Sequence, residues 1–93
     1  MRTIAIVETA HAARYMGQLV KHFAHKLPTS LEAGSSGRVE FPIGTLEAGA
    51  GDGLTLTATA EPKNMTQLQG VIARHLLRFT FREPELTVSW AQA

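Results

Sequence analysis

Apolar residues recur along this chain in two rhythms, and the switches between them mark out its elements. Residues Thr3 to Val7 (TIAIV) are apolar and largely β-branched, which predicts a strand. From Thr9 the rhythm lengthens. Ala12, Met16, Leu19, Val20, Phe23 and Leu27 recur at three- and four-residue intervals, predicting an amphipathic helix to about Lys26. Thr9 suits its N-cap and Pro28 its stop. Gly17 lies inside this helix at about 1 kcal/mol relative to alanine, a choice that would suit close packing on a sheet. Residues 29–37 contain Gly34-Ser35-Ser36-Gly37 and predict a flexible loop.

Beyond that loop the period shortens to two. Val39 and Phe41 alternate with Arg38 and Glu40, Pro42 and Gly44 punctuate, and Leu46 and Ala48 continue the apolar row. Gly49-Ala50-Gly51-Asp52-Gly53 predicts a hairpin turn. Leu54, Leu56, Ala58 and Ala60 then alternate with Thr55, Thr57 and Thr59, the pattern of a half-buried strand. Glu61-Pro62 breaks the chain. Met65, Leu68, Val71, Ile72, Leu76 and Phe79 restore the helical period and predict a second helix from about Asn64 to Phe79. After Pro84, Leu86, Val88 and Trp90 alternate with Thr87 and Ser89 in a final strand.

The order is β-α-β-β-β-α-β, and every strand after the first has one apolar and one polar face. Such a sheet buries one side, and two amphipathic helices are the available cover. The expected fold is therefore α+β in two layers, a mainly antiparallel sheet of four to five strands with both helices on one face. No repeat or internal boundary interrupts residues 1–93, so a single domain is expected.

Composition narrows the function classes. The chain is 44% hydrophobic and 18% charged, which is globular. It has no cysteine, so disulfide, thiolate-metal and thiol-nucleophile chemistry are excluded. A small domain without such staples is expected in the cytoplasm. No signal-peptide pattern or bilayer-length apolar run is present. Nine Lys+Arg against eight Asp+Glu leave a net charge of +1, but the charges are segregated. From Thr9 to Leu27 come Arg14, Lys21, Lys26, His11, His22 and His25 with no acid. From Asn64 to Arg82 come Arg74, Arg78, Arg82 and His75, again with no acid.

On a helical wheel, His11, Tyr15, His22 and Lys26 fall along one flank of the first helix, within about 60° of one another. His25 points further toward solvent. On the second helix Arg74 and Arg78 line a flank, while His75 falls inside the apolar arc. If the two flanks meet, Tyr15, His22, Lys26, His75 and Arg78 would line a cationic, partly apolar pocket. Each has a plainer role: His75 as a core histidine bonded to a backbone group, Tyr15 as a packing residue with a wet hydroxyl, the arginines as solubilising charge. His22 and His25 form an H-x-x-H pair, but the helices supply no acid to complete a zinc set, and no resident metal or cofactor is expected. Nucleic acid is not expected either, because the basic segments are balanced by acid elsewhere and no stacking motif is present. The threonine row, with Arg38, Glu40, Glu47, Thr87 and Ser89, would pave the open sheet face as a solvated surface or a homo-oligomer interface. No nucleophile elbow, phosphate loop or dinucleotide fingerprint occurs.

Three stretches carry a resemblance: His22-Phe23-Ala24-His25-Lys26-Leu27-Pro28, Gly37-Arg38-Val39-Glu40-Phe41-Pro42, and Ala73 to Glu83 (ARHLLRFTFRE). With Leu86 to Trp90 they resemble the bacterial family catalogued as domain of unknown function 2218. The resemblance implies no catalytic role. Some members stand beside, or fused to, siderophore-interacting flavin reductases, which implies a link to iron uptake. The family's signature histidines and arginines correspond to His22, His25, His75, Arg78 and Arg82. The expectation that follows is a binding module with Tyr15, His22, His25, Lys26, His75 and Arg78 around an anionic small molecule, or around an acidic segment of a siderophore-related partner. The alternatives are a small enzyme with His22 or His75 as general acid–base and Tyr15 or Arg78 stabilising an anion, a metal site on His22, His25 and His75, and a structural or oligomerisation domain.

Overall fold

The computed structural model describes residues 1–93. The elements are β1 (Arg2–Val7), α1 (Ala12–Phe23), β2 (Thr29–Glu32), β3 (Ser36–Phe41), β4 (Gly44–Ala50), β5 (Leu54–Thr59), α2 (Pro62–Phe79) and β6 (Ala91–Gln92). They form the expected α+β architecture, with one antiparallel sheet in the order β2-β3-β4-β5-β1-β6. The sheet has six strands rather than four or five.

Register explains the core. Val39 pairs with Leu46, Leu46 with Ala58 and Ala58 with Thr3, while Gly37, Ala48, Leu56 and Ala5 form the neighbouring row. Because side chains alternate along a strand, both rows face the same way, and all eight residues are buried. Met16, Leu19 and Val20 of α1 and Leu68, Ile72 and Leu76 of α2 close over them. The opposite face carries Thr55, Thr57 and Thr59, half-buried, and an Arg38–Glu47 ion pair at 3.7 Å across β3 and β4. Ile6 lies on this face too and is 66% exposed.

Several local readings change. Residues 29–32, expected in a loop, form edge strand β2, with Leu31 inward and Ser30 and Glu32 outward. The loop shrinks to a turn through Gly34 (φ +79°). The close approach of α1 to the sheet is permitted by Gly37 rather than Gly17. A methyl group on Gly37 would sit 2.7 Å from Val20 Cγ2, whereas nothing lies within 4 Å of one on Gly17. Thr9 stands two residues before the N-cap, His11, and its Oγ1 accepts the His11 backbone N–H at 3.1 Å. Regular α1 ends at Phe23, so His25 and Lys26 lie on the turn that follows. Pro62 starts α2 as its first residue, where a missing N–H costs nothing. Residues 86–90 keep their alternating burial, with Leu86, Val88 and Trp90 against the core, but the ladder to β1 forms only at Ala91 and Gln92.

No helix is long and apolar enough to cross a membrane.

Candidate functional site

The helices run antiparallel on the sheet: His22, late in α1, meets His75 in α2, while Tyr15, early in α1, meets Glu83 just beyond α2. This seam is where the two basic segments converge. Near its α1 C-terminal end is a depression of about 400 Å³ with His22, His25, Lys26 and His75 on its wall and Phe23, Leu27, Phe41 and Val71 beneath.

Its aromatic groups pack in a chain of contacts. The His22 and His75 ring centroids are 4.9 Å apart and tilted by 41°. His75 lies 5.0 Å from Phe23, which meets Phe41 edge-on at 4.9 Å. His75 Nδ1 is 2.7 Å from the Val71 carbonyl oxygen one turn earlier. A carbonyl only accepts, so Nδ1 carries a proton and donates it to Val71, which leaves Nε2 for other partners. His22 is the exposed member of the pair. Partial removal from water lowers its pKa below 6.5, helped by His75, Arg78, His25 and Lys26 in that order. Arg78, exposed on α2, therefore contributes its field at His22 without lining the depression.

Tyr15 lies apart from this group. It is buried, and its hydroxyl donates to Glu83 Oε1 at 3.1 Å. Thr9 Oγ1 approaches both Glu83 oxygens at 3.1 Å, and His11 Nε2 stands 3.8 Å from Oε1. Burial, the Glu83 hydrogen bond and the Glu83 charge raise the Tyr15 pKa above 10.0, against Arg14 and Arg82, which pull it down. A wheel places Tyr15 and His22 on one flank but carries no axial coordinate; seven residues of α-helix separate them by about 10 Å. Tyr15 borders a second depression, of about 360 Å³, whose walls include Arg14, Gln18, Phe79, Phe81 and Arg82. Sequence reasoning did not single out Arg14, Gln18 or Phe81 as site residues. The acid-free basic run was the signal for Arg14; Gln18 and Phe81 carried none.

What the first depression can do chemically follows from its lining. Charge-assisted hydrogen bonds from Lys26 and a protonated His22 would hold an anion, and the Phe23, Phe41 and Leu27 surface would take an apolar or aromatic body. His22 and His75 come together, but no group of three or more His, Asp or Glu side chains is placed to share a metal ion.

A family model described as "Uncharacterized protein conserved in bacteria (DUF2218)" matches residues 4–91. The NMR structure of PA4090 from Pseudomonas aeruginosa is similar in fold, with a TM-score of 0.77 and 28% identity over 97% of this chain and 94% of that one. No curated protein matches the chain.

Proposed function

The chain belongs to the DUF2218 family of proteins conserved in bacteria, and from that premise we propose that it is a binding module whose ligand is an anion with an aromatic or apolar body. The single observation that carries this reading is the His22–His75 pair, 4.9 Å apart at the mouth of an aromatic-floored depression that no carboxylate lines. Lys26 supplies a permanent charge there and Arg78 adds its field. A carboxylate seated beside His22 would offset the influences that lower its pKa. The setting we propose is the bacterial cytoplasm, in iron–siderophore metabolism, and 2,3-dihydroxybenzoate is a suitable probe because it joins a carboxylate to a flat catechol ring.

Titration of this probe into isotope-labelled protein, followed on imidazole and backbone resonances, is expected to shift His22, His75 and Phe41 together and to raise the His22 pKa. Binding should tighten as pH falls below about 6.5 toward the lowered His22 pKa, because the protonated ring is the better partner. The charged and titratable neighbours in that range are His75 and Arg78 from α2 and His25 and Lys26 from the turn after α1. Unmoved imidazoles, or binding that His22→Ala and Lys26→Ala leave unchanged, would remove the proposal. Acid–base catalysis by His22 is the second reading, favoured by two imidazoles 4.9 Å apart on the wall of a depression. It predicts conversion of a bound substrate, which proton spectra of the added compound would register as new signals.

A further inference from the structure

The second depression is cationic and aromatic like the first, and the two lie along the same seam between the helices. Phe79 lines the second and approaches the His22 ring, on the wall of the first, at 6.0 Å. Arg78, the residue before it, acts on His22. At the far end Arg14 and Arg82 flank the opening, and the Arg82 guanidinium lies 5.7 Å from the centre of the Phe81 ring. Phe81 is 71% exposed and offers an apolar surface beside the two arginines. The neighbouring carboxylate, Glu83, is engaged by the Thr9 and Tyr15 hydroxyls.

We propose that Arg14 and Arg82 form a second anion subsite, and that the whole seam holds an extended acidic segment of a partner protein with one carboxylate at each end. This rests on the reading of the His22 depression given above and adds the partner's chemistry to it. Spacing favours a peptide over a small molecule. Arg14 and His22 are eight helical residues apart, about 12 Å along α1. An extended chain covers that span in about four residues at ~3.3 Å each. A small aryl carboxylate fills one subsite and leaves the other empty. A segment with acidic residues about four apart reaches both, and an apolar residue between them meets Phe79. The seam's positive charges match such a segment along its length.

The test uses the intact labelled protein and two blocked peptides of the same composition. In one, two glutamates stand four positions apart around a leucine; in the other they are adjacent. The spaced peptide is expected to shift Gln18, Arg82 and His22 together at one-to-one stoichiometry and to bind more tightly than the adjacent one. Arg14→Ala and Arg82→Ala, both exposed positions, should each weaken the spaced peptide about tenfold and leave 2,3-dihydroxybenzoate binding at His22 unchanged. Equal binding of the two peptides, or no loss in Arg82→Ala, overturns the second subsite. If dihydroxybenzoate still shifts His22 in that case, the single-site function stands. If the peptide shifts Arg82 while neither probe moves His22, the single-site function falls and the joint groove falls with it.

Discussion

His22 shows how one exposed side chain can report on its surroundings. Burial against Phe23 and Phe79 and the nearby positive groups all disfavour its charged form. Its folded pKa therefore lies below the unfolded value of about 6.5. Between those two values the unfolded chain holds more protons, so stability rises with pH in that window. The contribution is complete above about 6.5 and is lost as pH falls toward the folded value. Imidazole resonances followed from pH 5 to 8 should place the His22 midpoint below that of a model peptide. His75→Gln should raise it part of the way, leaving the burial component in place. Glu83 is a second decisive residue, since two hydroxyls donate to its carboxylate from the start of the chain and from α1. Glu83→Ala strands both hydroxyls, and thermal unfolding should show a melting temperature lower by roughly 5 °C or more.

Glycines separate the elements that tolerate change from those that do not. Gly44 opens β4 directly beneath α2, where an added methyl group would collide with the Thr59 carbonyl oxygen and meet Leu68 Cδ2 at 2.8 Å. Backbone cannot give way as a flexible side chain can, so Gly44→Ala should cost about 2–3 kcal/mol in urea unfolding. Gly17→Ala, into open space on α1, should stabilise by about 1 kcal/mol in the same measurement. The two helices and strands β3 to β5 were legible because each repeats its period over several residues. Strand β2 was not, because Thr29-Ser30-Leu31-Glu32 holds one strongly apolar residue and runs straight into a Gly/Ser-rich turn. Leu86 to Trp90 misled in the opposite sense, since alternating burial against a core needs no ladder. At the seam, helical period gave the facing flanks that bring His22 and His75 together. It could not separate Tyr15 from them, because rotation about a helix says nothing of height along it.

Across the whole molecule, the order β2-β3-β4-β5-β1-β6 leaves β1 next to the last position, covered on its outer edge by two residues of β6. Deleting Ala91 to Ala93 should bare the outer edge of β1 at Arg2 to Ile4. Such an edge pairs readily with other chains, and light scattering should then show concentration-dependent association. The same order has a consequence during synthesis. Strands β2 to β5 pair consecutively as they are made, but β1 leaves the ribosome first and its partner β5 follows only about fifty residues later. Until then the most apolar strand of the protein has no seat, and a nascent chain stalled before Leu54 would present it to any chaperone or neighbouring polysome within reach.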